Sequence, residues 1–94
     1  MDAGNEIVHN PDNQRFETKA NSESAYVAYA METGSITLKS TYVAPALRGG
    51  ALAARLVSTA LDYARSKGLK VRSTCSYVDR FLQRHPEYSD LTAP

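Results

Sequence analysis

The hydrophobic period changes at Pro45, and that change limits the folds open to the chain. After it, Leu52, Leu56, Ala60 and Ala64 recur every fourth residue, joined by Val57 and Leu61. Arg55, Thr59, Asp62 and Lys67 fall off that stripe. The spacing predicts an amphipathic helix from roughly Ala51 to Lys67. Gly68 is placed to end it in the left-handed conformation that glycine tolerates. Before Pro45 the pattern is that of strands. Ser35 to Val43 alternates, with Ile36, Leu38 and Tyr42 assigned to one face and Thr37, Lys39 and Thr41 to the other. Ala25 to Met31 is apolar at every position, which predicts a strand buried on both faces.

The remaining segments complete the order. Short strands are expected at Ile7–His9 and around Phe16, and Thr33-Gly34 is a tight connection. After the long helix, Leu69 and Val71 alternate with Lys70 and Arg72 as a further strand. Ser76 reads as the cap of a second helix, with Asp79 near its positive end and Val78, Phe81 and Leu82 as its apolar edge. That helix ends near His85, because Pro86 disfavours helix in the residue before it. Glu87 to Pro94 shows no period. The predicted class is α/β (α+β): an antiparallel strand meander, then a right-handed β-α-β crossover, then a second helix on a mixed sheet.

Size and composition bound the function. The 94 residues form one small domain, residues 1–94, and 43% apolar content supplies a single core. The longest apolar stretch has seven residues, against the roughly 20 a bilayer span needs. The polar start lacks the pattern of a secretory signal. One cysteine forms no internal disulfide, and His9 and His85 are too far apart in sequence for a structural zinc pattern. A cytoplasmic monomer without metal or membrane contact is expected. The net charge of +1 divides into −3 for residues 1–47 and +4 for residues 48–94. The basic half admits an anionic partner, but on charge alone a solvated helix face with no partner is the better account.

Arg48-Gly49-Gly50-Ala51 lies between a strand and a helix start. The first amides of a helix lack internal partners and favour phosphate oxygens, and glycine allows close backbone approach. The loop lacks the Gly-Lys-Ser/Thr of nucleotide hydrolases and the spaced glycines of dinucleotide folds. On its own it is better read as a plain strand-to-helix turn, since two adjacent glycines are a weak signal.

The wider stretch from Thr41 to Val57 resembles the acetyl-coenzyme A loop of the GNAT acetyltransferase superfamily. Val43, Pro45 and Arg48 match the approach to that loop, and Arg48, Ala51 and Ala53 occupy its three motif positions. Ala60 to Arg65, Gly68 to Val71, Cys75 to Val78 and Arg84 to Tyr88 are similar to the minimal single-domain branch, as are Ile7 to Asn10 and Gln14 to Glu17. The resemblance spans roughly residues 6–89. Two positions depart from the pattern. Ala51 stands where glycine is usual, and Ser40 where many relatives of the small branch carry histidine.

The resemblance implies a GNAT-like fold and an acetyl-coenzyme A–dependent N-acetyltransferase. The amides of Arg48, Gly49, Gly50, Ala51, Leu52 and Ala53 would hold the pyrophosphate. The backbone of Tyr42 and Val43 would pair with the pantetheine arm, and the thioester would lie where parallel strands part. The resemblance also places Cys75 near the acetyl group. A thiol at a helix start has a lowered pKa, so a covalent acetyl-cysteine route is open, although a lone cysteine also packs as a small hydrophobe. Tyr77 is the candidate proton donor to the leaving sulfur. The acceptor is an amine, on a protein lysine or a small molecule. The alternative is a coenzyme A–binding module without efficient turnover. A nucleic-acid role has only the basic half in its favour, since no aromatic-rich basic stretch accompanies it.

Overall fold

The computed structural model describes residues 6–20, 22–48 and 51–92. Five strands form one sheet in the order β1 (Val8–Asn10), β2 (Arg15–Ala20), β3 (Glu23–Glu32), β4 (Ser35–Val43) and β5 (Lys70–Ser73). β1 to β4 are antiparallel neighbours. β5 joins β4 in parallel, pairing Ser35 with Lys70 through Leu38 with Ser73. Helix α1 (Leu52–Ser66) makes the crossover, and α2 (Ser76–Arg84) follows β5. The expected meander, crossover and second helix are therefore all present.

Local chemistry explains the boundaries. Gly34 takes φ 78° in the two-residue link between β3 and β4. Gly68, at φ 69°, closes α1 as expected: its amide donates to the Arg65 carbonyl and the Leu69 amide to the Ala64 carbonyl. The six residues of the period-four stripe are the six buried residues of α1. They pack with Phe16, Val27, Ile36 and Leu38 of the sheet and with Val78 and Phe81 of α2 in a single core cluster.

Three expectations need correction. β3 is buried on one face only; Ala25, Val27 and Tyr29 point into the core, while Tyr26, Ala28 and Ala30 are half-buried. On that outer face the Arg15 guanidinium lies 4.6 Å from the centre of the Tyr26 ring, and Tyr26 packs beside Tyr42. Second, β4 does not alternate evenly. Ala28 pairs with Ser40 and Tyr29 with Leu38, so Lys39 is an unpaired extra residue. Such a bulge moves every following side chain to the other face. Tyr42 is thus 40% exposed on the outer face, and Thr41 and Val43 turn inward. Third, Cys75 and not Ser76 is the N-cap of α2.

The tail beyond the second helix is also ordered. Pro86–Leu91 forms a 3-10 turn, Leu91 is buried, and Thr92 bridges to Val71. The Arg65 guanidinium donates to the Asp90 carboxylate and the Glu87 carbonyl, and the Lys70 ammonium donates to the Asp90 carbonyl. Part of the basic group at residues 65–72 therefore fastens the tail.

At the opposite edge, His9 stacks on Phe16 at 4.3 Å and its Nε2 lies 2.6 Å from the Tyr29 hydroxyl. Burial pulls the His9 pKa below its ordinary 6.5. Between the two values the unfolded chain binds more protons than the folded one, so stability rises with pH there. Urea titrations of the native chain are expected to show stability falling as pH drops below about 6.5. His9→Phe should show a shallower fall, and an identical fall would contradict the burial account.

Candidate active site between the parting strands

β4 and β5 begin as partners and then separate. The last rung is the Thr74 amide donating to the Leu38 carbonyl at 3.0 Å. β4 continues for five residues beyond that point, while β5 ends at Ser73 and the chain turns into α2. The Ala44 amide donates to the Ser24 carbonyl, which makes Ala25 and Val43 a non-hydrogen-bonded pair. Val43, and Thr41 two residues earlier, therefore direct their amides and carbonyls away from β3, into the gap. Tyr42, between them, turns its own toward β3.

Cys75 sits on the other side of the gap. Its Sγ is 3.6 Å from the Thr41 hydroxyl oxygen, and the residue is half-buried. Its amide donates to the Ser73 hydroxyl oxygen at 3.2 Å, which anchors the turn into α2. No formal side-chain cap bond forms, yet the thiol occupies the capping place, facing the open amides of Tyr77 and Val78. Burial pushes the thiol pKa up. The Val78 amide, the Thr41 hydroxyl, and the Tyr77 and Thr41 amides together pull it further in the other direction. The net result is a thiol below its ordinary pKa, as a nucleophile or an anion-stabilising site needs.

The start of α1 lies at the carboxyl end of β4. Ala51 is its N-cap, with no side-chain cap bond and no acidic residue in the first turn. The first helical bond runs from the Arg55 amide to the Ala51 carbonyl. The preceding amides, including those of Leu52 and Ala53, have no partner within the helix. The Leu52 side chain is buried and that of Ala53 half-buried, so these two residues offer backbone and not side-chain contacts. The Arg48 Nε donates to the Val43 carbonyl at 2.8 Å, which ties the approach to the helix back onto the free edge of β4. Gly49 and Gly50 lie outside the described residues. Tyr77 is 38% exposed on the first turn of α2.

Of the residues singled out in the sequence, Val43, Arg48 and Cys75 thus border one gap. Tyr42 places its side chain on the opposite face of the sheet. Thr41 is the addition that alternation missed. Its signal was the polar run Lys39-Ser40-Thr41, which no even alternation with Ile36 and Leu38 can accommodate on a buried face. Among the described residues, no cluster of three histidine, cysteine or acidic side chains could hold a metal, and no helix is long and apolar enough to cross a membrane.

The family profile described as GCN5-related N-acetyl-transferase matches residues 15–91. The chain belongs to that family. Among curated proteins it is similar to Protein NATD1 of Danio rerio, at 28% identity over 87 residues, covering 87% of this chain and 79% of the relative. Among solved structures it is similar to a GCN5-like protein from Staphylococcus aureus, with a TM-score of 0.78 and 22% identity over 98% of this chain and 91% of the other. That second likeness is one of fold. Acetyl transfer is the chemistry of the family, and acetyl-coenzyme A is its usual donor.

Thr41→Val removes one donor to the thiol while keeping its size. Its Cys75 is expected to titrate at higher pH than the native residue, read from the pH dependence of iodoacetamide alkylation. An unchanged midpoint would show that the hydroxyl contributes nothing to the lowered pKa.

Proposed function

We propose that this chain transfers an acetyl group from acetyl-coenzyme A to an amine in the gap between β4 and β5. The observation that carries the reading is the set of donors around one small volume: the Thr41 amide and hydroxyl and the amides of Tyr77 and Val78, with a half-buried thiol among them. The uncapped, acid-free start of α1 at the same end of the sheet is chemically suited to a diphosphate. Residues Arg48, Gly49, Gly50, Ala51, Leu52 and Ala53 are assigned to it, and the free edge at Val43 to the pantetheine amides.

Acetyl-coenzyme A, when bound, supplies the thioester. The chain's part is to orient it and to stabilise charge. Donors aimed into the gap favour negative charge developing on the carbonyl oxygen or the departing sulfur. Tyr77 is assigned as proton donor to that sulfur. In direct transfer the amine nitrogen bonds to the carbonyl carbon as the carbon–sulfur bond breaks. The lowered Cys75 thiol supports a second route. There Sγ takes the acetyl group first, releasing the coenzyme thiol, and then yields it to the amine. The protein acts as a single domain of the minimal kind, on a lysine of a protein or on a small amine.

Incubation with acetyl-coenzyme A and a panel of amines is expected to release free thiol faster than the protein-free reaction. Binding without release would instead assign a coenzyme-binding module. Intact mass after acetyl-coenzyme A alone separates the routes. A gain of one acetyl group that Cys75→Ala lacks indicates the covalent path, and full transfer by Cys75→Ala indicates the direct one.

A further inference from the structure

Acetyl transfer needs an acceptor as well as a donor, and the acceptor must reach the gap from a side that the donor leaves free. The helix layer closes the inner face of the sheet, where α1 and α2 share one core with Phe16, Val27, Ile36 and Leu38. The outer face is strand surface. Small residues make its middle, with Ala28 opposite Ser40 and Ala30 opposite Thr37, each half-buried or exposed. Tyr26 and Tyr42 stand side by side beyond them, with ring centres 5.6 Å apart. A small molecule is held best in a concave pocket. A broad strand surface of this kind suits an extended segment of chain instead.

Charge at the outer lip of the gap has one sign. Lys39, the unpaired residue of β4, directly follows Leu38, whose carbonyl accepts the last rung from the Thr74 amide. Arg72 is paired with Thr37 one rung earlier, and alternation with the buried Val71 places it on the outer face. Both side chains are exposed, and among the described residues no hydrogen bond or ion pair engages either. The carboxylates of the outer face are occupied or distant. Glu17, two strands away, accepts from Arg15 at 2.8 Å and from Asn10 at 3.0 Å. Glu32 accepts from the Ser35 hydroxyl at the far end of β3. Asp79 is on α2, in the helix layer. Two uncompensated cations beside the place of transfer repel a basic acceptor and attract an acidic one.

We propose that the acceptor is a lysine in an acidic, extended segment of another protein, laid across the outer face with its carboxylates against Lys39 and Arg72. The inference rests on acetyl transfer in the gap between β4 and β5, and adds to it which amines are used. The lysine side chain enters the opening from the outer face, toward Thr41 and Cys75. One ammonium proton passes to water before attack. The nitrogen then bonds to the acetyl carbon, the carbon–sulfur bond breaks, and a second proton ends on the departing sulfur. Polyamines, and lysines flanked by basic residues, are disfavoured by the same two cations.

Rates of thiol release from acetyl-coenzyme A by the full chain test the assignment. The acceptors are peptides with a blocked amino terminus and a central lysine flanked on both sides by glutamate, by glutamine or by arginine. At low ionic strength kcat/KM is expected to be about fivefold higher for the glutamate peptide than for the glutamine peptide, the scale of two exposed ion pairs. The arginine peptide should be the poorest, and added salt should shrink the differences. The double variant Lys39→Gln, Arg72→Gln should use the glutamate and glutamine peptides alike, at the native rate for the glutamine peptide. Both side chains are exposed, so the core is left intact. Equal use of the three peptides by the native chain, or a glutamate preference that survives in the variant, would overturn the acidic acceptor and leave acetyl transfer standing. So would acetylation of small amines with none of the peptides used. Thiol release with no amine at all would remove the transfer reading itself, and the acidic acceptor with it.

Discussion

A hydrogen-bonded sheet offers no opening unless two neighbouring strands part, and in this chain they part after Leu38. Two local events cause the separation. Lys39 is inserted without a partner in β4, and β5 stops at Ser73. The first event turns Thr41 inward and leaves the backbone of Thr41 and Val43 facing away from β3. The second brings Cys75 to the far side of the opening, as the cap of α2. Backbone donors cannot be buried without partners at low cost, so such an edge persists only where water or a ligand can reach it. The gap and the lowered thiol are consequences of these two events in one strand pair, and the uncapped start of α1 lies at the same end of the sheet.

Much of the scaffold was legible in the sequence because burial imposes a period. The stripe from Leu52 to Ala64 predicted the buried face of α1 residue by residue, and Gly68 marked its end. The parallel pairing of β4 and β5 followed from the crossover that a strand–helix–strand order requires. What alternation misread was the second half of β4, since a single unpaired residue reverses all the faces after it. Even alternation from Ile36 and Leu38 would put the polar Ser40 inward, and that misfit was the sign of the reversal, which leaves Ser40 exposed. Burial of β3 on both faces was also an overreading. Tyrosine and alanine tolerate half-exposure, and the outer face at Tyr26 and Ala28 is not a core surface.

The site was legible to a different degree. Cys75 stood out as a thiol before a helix, but its neighbours on β4 are 34 residues away in sequence and only the register brings them together. The cations at Lys39 and Arg72 had no sequence signal stronger than two charges in separate strands. They come to one lip of the gap only when β5 pairs with β4. The tail was unreadable for the opposite reason. Its order comes from Leu91 filling the core edge and from Arg65 and Lys70 holding Asp90, contacts with no local period.

The account stands on the gap being the place where the acyl carrier lies. Amide chemical shifts followed by nuclear magnetic resonance during addition of acetyl-coenzyme A test this most directly. The largest changes are expected at Thr41, Val43, Leu52, Ala53, Tyr77 and Val78. Changes confined to the outer sheet face around Glu17 and Tyr26, with those six amides still at saturation, would contradict it.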